Sequence, residues 1–114
     1  SFFLVKEANG VIGIGHQLPG RENDGDGEIV PGLMHLSMVA VEPTRWGRGI
    51  GRAITVACIE RAAELGYDAM QLWTHTSNDR AQRLYTSLGF ELTGREKIDD
   101  DGERIKLYRR MLAR

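Results

Sequence analysis

Residues 45–52 read RWGRGIGR, with three glycines and three arginines in eight positions. The stretch lies between an apolar segment, residues 33–41, and a segment of helical spacing that starts at Arg52. A helix N-terminus exposes unpaired N–H groups and partial positive charge, and glycines let such groups converge on an anion. The stretch therefore predicts a strand-loop-helix junction that cradles a diphosphate, with Arg48 and Arg52 as added charge.

The glycine spacing alone does not identify the ligand. The dinucleotide pattern G-x-G-x-x-G fails because Arg52 stands where its last glycine should be. The Walker A pattern fails too, since no Gly-Lys-Ser/Thr follows the loop. On the loop alone, a glycine-rich turn with solvated arginines remains an alternative.

The chain before the loop predicts three strands. These are residues 2–7, then residues 11–17 after an Asn9-Gly10 hairpin turn, and residues 33–41, which are apolar on both faces. Residues 18–32 are rich in Gly, Pro, Asp and Asn and predict a long flexible loop. Its acidic residues are either solvated or border an acceptor cleft that favours cationic amines.

The chain after the loop alternates helices and strands. We predict a helix over 52–65, a strand over 67–74, a helix capped by Asn78 and running to Leu88, and strands over 90–94 and 105–112. The order β-β-β-α-β-α-β-β predicts a single α/β (α+β) domain over residues 1–114, with a mixed, mostly antiparallel central sheet and helices packed on it. The crossover within residues 33–74 should be right-handed.

Length, composition and net charge restrict the classes of protein to which this chain can belong. With 114 residues and a net charge of −1, the chain fits one globular domain and not a nucleic-acid binder that works by bulk attraction to phosphate. We find no apolar run long enough to span a bilayer, so no membrane partner is expected. The one cysteine, Cys58, favours a cytoplasmic protein.

Two motifs in sequence resemble the GNAT superfamily of acyl-CoA N-acyltransferases. EPTRWGRGIGRAI resembles the family's Q/R-x-x-G-x-G/A loop, and TSNDRAQRLYTSLGFE contains its N-x-x-A-x-x-x-Y-x-x-x-G-F pattern. That second pattern is complete in Asn78, Ala81, Tyr85, Gly89 and Phe90.

The resemblance has two departures. Trp46 occupies the usual Gln or Arg position of the loop. The family's first strand and first two helices would precede Phe2, so we expect the natural protein to be longer at its N-terminus.

The resemblance implies direct acetyl transfer from acetyl-CoA, without a metal, to a primary amine of a small molecule or peptide in a ternary complex. The pantetheine arm would pair with Val39, Ala40 and Val41, and an N–H in that run would stabilise the oxyanion. The family pattern assigns cofactor binding also to the following residues: Trp46, Gly47, Arg48, Gly49, Ile50, Gly51, Arg52, Asn78 and Tyr85.

Tyr85 is the candidate acid for the departing thiolate, with a core aromatic as the alternative. His35 is the candidate base, placed by the period of two on the same strand face as Val39. His75 and Glu42 are rival bases.

Two other functions remain open at the level of sequence. One is a non-catalytic acyl-CoA-binding or sensing module, and the other is a nucleotide-binding domain that uses the same loop for a different diphosphate. Dimers are common in the family, so a homodimer is a further option.

Overall fold

The computed structural model describes residues 1–8 and 10–112, apart from the side chain of Asp24, so Asn9 of the predicted hairpin turn lies outside the described residues. The elements are β1 Phe2–Glu7, β2 Gly10–Arg21, β3 Ile29–Val41, α1 Ile50–Glu64, β4 Ala69–His75, α2 Asp79–Ser87, β5 Glu91–Ile98 and β6 Arg104–Met111. Short 3-10 helices occupy Asn23–Gly25 and Pro43–Arg45. The predicted order of strands and helices is confirmed.

The six strands form one sheet in the order β1-β2-β3-β4-β6-β5. Strands β3 and β4, which flank α1 in the chain, run parallel, and the other neighbouring pairs are antiparallel. This confirms the predicted mixed, mostly antiparallel sheet.

The predicted loop over residues 18–32 is wrong, because β2 extends to Arg21 and β3 begins at Ile29. Pro19 pairs with Met34 beside an irregularity in the ladder, where a missing N–H is tolerated. A Cβ on Gly20 would lie 2.7 Å from Leu33 Cγ, so this glycine permits close packing and does not mark a flexible segment.

Both helices pack on one face of the sheet, called here the helix face. Their buried side chains join those of β3, β4 and β6 in one core cluster: Met34, Leu36, Ile54, Cys58, Ala62, Met70, Leu72, Tyr85, Phe90, Tyr108 and Leu112. A Cβ on Gly15 would overlap Ile54, which shows how closely α1 approaches β2. Leu65, the last residue of the predicted helix, caps α1 after Glu64 and is 47% exposed.

The opposite face of the sheet, called here the open face, is covered by neither α1 nor α2. His35 lies on this face, because its strand neighbours Met34 and Leu36 are both in the core cluster on the helix face. In the part of the chain that the structure describes, no helix is long and apolar enough to cross a membrane.

A β-bulge at Ser37 changes which face the residues of β3 occupy. Gln17 pairs with Leu36 and His16 pairs with Met38, so Ser37 has no residue opposite it. The extra residue interrupts the period of two, and Val39 packs against the core on the helix face. The prediction that His35 and Val39 share a face is therefore wrong.

Candidate active site

A gap opens in the sheet between β3 and β4. The two strands pair only where residues 33–35 meet residues 69–71, although β3 continues to Val41 and β4 to His75. The bulge at Ser37 lies where the pairing stops, and bulges increase the local bend and twist of a strand. Beyond it, one edge of each strand has no strand beside it to accept its hydrogen bonds.

The hydrogen-bond pattern of β3 assigns its backbone groups to the two sides of the strand. The N–H of Glu42 donates to Ile12 O at 2.8 Å, and pairs alternate in an antiparallel ladder. By this alternation the backbone of Ala40, opposite Ile14, is directed to β2, whereas the N–H and C=O of Val39 and Val41 face the gap. Of the three predicted pairing residues, Val39 therefore offers both its N–H and its C=O to a ligand, and Val41 offers its N–H.

The loop after β3, residues 45–52, brings the start of α1 to the end of this gap. Gly47 and Gly49 have φ angles of 82° and 77°, which side-chain-bearing residues rarely adopt. The first backbone hydrogen bond of the helix runs from Ala53 N–H to Gly49 O. The N–H groups of Ile50, Gly51 and Arg52 lie before it in the chain and have no acceptor within the helix. A helix N-terminus of this kind attracts an anion.

Among the described residues, the space at these two glycines is open apart from the Arg80 side chain. A Cβ on Gly49 would meet no atom within 4 Å, and one on Gly47 would have Arg80 at 3.7 Å. The backbone of the loop is thus accessible to a diphosphate, and the residues present fit the group that the sequence pattern implies.

Trp46 holds this loop against β3. Its indole N–H donates to Val41 O at 2.7 Å, and the Arg80 guanidinium lies over its ring, 5.7 Å from the centroid. The side chain that departs from the family pattern therefore anchors the loop and brings Arg80, from the first turn of α2, beside Gly47.

The arginines of the loop differ in their partners. Arg45 forms an ion pair with Glu7 at 2.7 Å, and this hydrogen bond lowers the pKa of Glu7 below its ordinary value. Arg52 donates to Ser87 Oγ at 2.6 Å, which ties α1 to α2 while leaving its charge uncompensated by that contact. Arg48 forms no ion pair with any of residues 1–8 or 10–112 and is exposed.

Tyr85 and Asn78 lie on α2. Asn78 Oδ1 accepts from Ala81 N–H at 3.0 Å, so its predicted role as a helix cap is confirmed. Tyr85 is buried beside Phe90, and burial raises its pKa. Its hydroxyl makes no hydrogen bond to a described residue, and at neutral pH it keeps its proton and can donate it.

A cavity of about 330 Å³ lies on the open face, called here the open-face cavity. Its walls come from four strands and the loop after β2: Leu18, Pro19, Arg21, Gly25, His35, Gln71, Trp73 and Lys97. Lys97 Nζ lies 4.6 Å from the centroid of the Trp73 ring. Of the three candidate bases, only His35 lines this cavity.

The rival bases are less well placed. His75 Nε2 lies 3.0 Å from Asp99 Oδ2, and that carboxylate also accepts from two backbone N–H groups of the β5–β6 turn. Glu42 is exposed at the end of β3. Burial raises the pKa of the Cys58 thiol to about 11, which disfavours an acyl-cysteine route.

Another cavity, of about 440 Å³, lies along β5 and β6 and contains none of the predicted site residues. No group of three or more His, Cys, Asp or Glu side chains among the described residues could hold a metal ion.

Sequence reasoning missed the residues that complete the site from other elements. Arg80 stands inside the second motif, so its position beside the loop could have been proposed from the motif spacing. Arg21, Gln71, Trp73 and Lys97 carry no local pattern, because only the pairing of strands brings them together on the open face.

Known proteins resemble this chain in sequence and in fold. Residues 1–90 match the family model described as "Acetyltransferase (GNAT) family". The chain is 34% identical over 90 residues to the mycothiol acetyltransferase of Thermobispora bispora, which covers 78% of this chain and 29% of that protein. It is 41% identical over 61 residues to the mycothiol acetyltransferase of Kocuria rhizophila, which covers 54% of this chain and 20% of that protein.

Solved structures agree on the fold. Ard1 from Thermoplasma volcanium superposes with a TM-score of 0.83 at 21% identity, over 100% of this chain and 72% of that one. The ribosomal-protein-S18-alanine N-acetyltransferase from Escherichia coli gives 0.79 at 21% identity, over 100% of this chain and 70% of that one. This chain therefore belongs to the GNAT acetyltransferase family.

Proposed function

We propose that this chain transfers an acetyl group from acetyl-CoA to a primary amine by direct attack in a ternary complex. A bond forms between the amine nitrogen and the acetyl carbon, the bond from that carbon to sulfur breaks, and the nitrogen loses a proton as the thiol gains one. The junction of the gap in the sheet with the N-terminus of α1 carries the proposal. Acetyl-CoA supplies the activated acetyl group.

The donor would lie in the gap between β3 and β4. The N–H and C=O of Val39 and the N–H of Val41, which face the gap, can pair with an extended amide-bearing chain, as they would with a strand. The loop of residues 45–52, with Arg48, Arg52 and Arg80 nearby, supplies N–H groups and positive charge for the diphosphate. Ala40 then contributes through its pairing with β2, which holds the strand in place.

Two groups of this chain would act on the reacting atoms. The N–H of Val39 or Val41 can donate to the oxyanion that develops on the carbonyl oxygen. The Tyr85 hydroxyl, kept protonated by burial, can donate to the departing sulfur. Asn78 holds the start of α2 through its cap, and a direct contact with the donor is a further part of this proposal.

The amine would approach from the open face. The open-face cavity lies at the edge of the gap, since His35 and Gln71 are the last residues through which β3 and β4 pair. His35 would contact the acceptor or the water that carries its proton away.

The family match does not select the acceptor. The sequence relatives share the name mycothiol acetyltransferase, so an amine related to mycothiol is the first acceptor to test. The chain spans less than a third of the length of these relatives. Peptide amines, which the resemblance to the family also implies, are the second class to test. Cytoplasmic location and a homodimer stay predictions.

The alternative is an acyl-CoA-binding module without turnover. The donor side of the site is the same in both cases, so acyl-CoA binding alone does not separate them. The lining of the open-face cavity by His35 beside the gap favours the enzyme.

Titration calorimetry of the full chain with acetyl-CoA, followed by a thiol-release assay over a panel of amines, tests the proposal. We expect a dissociation constant in the micromolar range and amine-dependent release of the CoA thiol. Binding with no turnover for any amine would support the binding module, and the absence of binding would overturn both.

A further inference from the structure

Three polar side chains form a row across the open face. His35 on β3 is the register partner of Gln71 on β4, and Gln71 is the register partner of Arg109 on β6. Gln71 Nε2 lies 3.3 Å from His35 Nδ1, and Arg109 Nη2 lies 3.4 Å from Gln71 Oε1. Gln71 is 8% exposed, so the amide is shielded from most of the solvent that could compete for these bonds.

The chemistry of the row determines the direction of each hydrogen bond. A guanidinium has only donors, so the amide atom that Arg109 contacts must be the oxygen. The amide nitrogen of Gln71 therefore faces the imidazole, and an amide nitrogen can only donate. His35 Nδ1 must accept this bond, and the proton of the neutral ring is then carried by Nε2.

We propose that Gln71, oriented by Arg109, holds His35 as the neutral tautomer protonated on Nε2. At Nε2 such a ring can only donate a hydrogen bond, and the lone pair of Nδ1 is engaged by Gln71. In the acetyl transfer proposed above, on which this consequence rests, His35 orients an oxygen of the acceptor or a water and does not itself take the amine proton. Gln71 is thus a positioning residue that acts through His35.

A second histidine provides an internal control. Ser37 Oγ donates to His16 O at 3.1 Å, and His16 Nδ1 lies 2.8 Å from the same hydroxyl. Because the single hydroxyl proton is used on the carbonyl, the oxygen accepts from Nδ1, and His16 carries a proton there. The same network logic therefore assigns opposite tautomers to His16 and His35.

The test is a long-range proton-nitrogen correlation spectrum of the full chain labelled with ¹⁵N-histidine, recorded at neutral and mildly alkaline pH without substrate. We expect the Nε2–H pattern for His35 and a proton on Nδ1 for His16, with His35→Gln assigning the His35 signals. An Nδ1–H pattern for His35 would overturn the proposal. Since no substrate is present, this result is independent of whether the chain proves to be an acetyltransferase.

A substitution should reverse the tautomer. In Gln71→Glu the carboxylate can still accept from Arg109 but offers an acceptor to the ring, so the proton should move to Nδ1. The charge should also move the titration of His35 upward by about one pH unit or more. The charged groups that share the cavity with His35, Arg21 on β2 and Lys97 on β5, and Arg109 on the far side of residue 71, are the same in the wild type and the variant.

An unchanged tautomer in folded Gln71→Glu would contradict the proposal. Should that variant fail to fold, Arg109→Met gives the second test. It frees the amide to rotate and should convert the single Nε2–H pattern of His35 into a mixture of tautomers, while His16 keeps its pattern. A single unchanged His35 pattern in folded Arg109→Met would count against the role of Arg109.

Discussion

The two sides of the candidate site use different groups of the protein to bind their ligands. The donor side, the gap and the loop of residues 45–52, uses backbone groups of one continuous segment that ends β3 and begins α1. The acceptor side, the open-face cavity, uses side chains from four strands and a loop. A backbone site depends on dihedral angles, and a side-chain site depends on residue identity. Substitutions that change one should therefore leave the other intact.

The largest expected effect comes from the backbone of the loop. Gly49→Val places a β-branched side chain at a φ of 77°, where an L-residue is strained by about 1–2 kcal/mol or more. We expect the loop to leave its conformation and the affinity for acetyl-CoA to fall about tenfold or more, as measured by titration calorimetry.

Gly102→Val is the matched control, because Gly102 has a φ of 81°, equally open space and a place in the β5–β6 turn. It should lose similar stability and keep its affinity for acetyl-CoA. Equal loss of affinity in both variants would show that the glycine conformation of the loop has no special role.

The next effect concerns chemistry at the boundary of the two sides. Tyr85→Phe removes a hydroxyl without a described partner, so we expect kcat to fall roughly tenfold while acetyl-CoA affinity and stability change little. The assay is thiol release with the amine identified by the panel.

Tyr108→Phe is the comparison for Tyr85, since Tyr108 is also buried but donates to Gln82 Oε1 at 3.1 Å. Its loss should lower the free energy of unfolding by about 1 kcal/mol and spare kcat. The assignment of Tyr85 fails if its variant turns over at the wild-type rate.

A smaller effect is expected for substitution of Trp46, with Trp73 as its comparison. Trp46→Phe deletes the bond to Val41 O and should weaken acetyl-CoA binding about three- to tenfold, because a net hydrogen bond is worth about 1 kcal/mol. Trp73→Phe should leave that affinity unchanged and raise the KM of the amine, since Trp73 lines the open-face cavity. The reverse pattern would contradict the division into a donor and an acceptor side.

The difference between the two sides also explains what could be predicted from sequence. Local rules of backbone conformation govern Gly47, Gly49 and the cap Asn78. Their spacing in the sequence therefore predicts both the loop and α2. The cavity depends on which strands become neighbours, and Gln71 meets His35 only through the parallel pairing of β3 and β4.

The errors have a common physical origin. The bulge at Ser37 inserts one residue without a sequence signal of its own, and it moves Val39 to the opposite face from His35. Pro19 and Gly20 read as loop residues, yet they continue β2 because the ladder is irregular there and Leu33 packs closely. Turn-forming residues therefore marked irregular pairing and not the end of the strand.

The smallest expected effect lies outside both sides. The backbone N–H of Glu103, with His75, lowers the pKa of Asp99 below its ordinary value of 3.8. At pH values between the lowered pKa and about 3.8, the unfolded chain binds more protons than the folded chain. The contribution of Asp99 to the free energy of unfolding is therefore complete above this pH range and is lost as the pH falls through it. Asp99→Asn should flatten the acid limb of the unfolding free energy against pH and leave acetyl-CoA binding unchanged. An acid limb as steep as in the wild type would show that Asp99 does not contribute to the pH dependence of stability.

The central claim is that backbone groups at the gap and at the start of α1 hold the donor. Amide chemical-shift mapping of the ¹⁵N-labelled full chain with acetyl-CoA, up to about 1 mM, tests it most directly. We predict that the largest perturbations fall on the amides of Val39 and Val41 and on those of residues 47–52. Perturbations confined to the residues of the open-face cavity, or none at the highest concentration, would contradict the account.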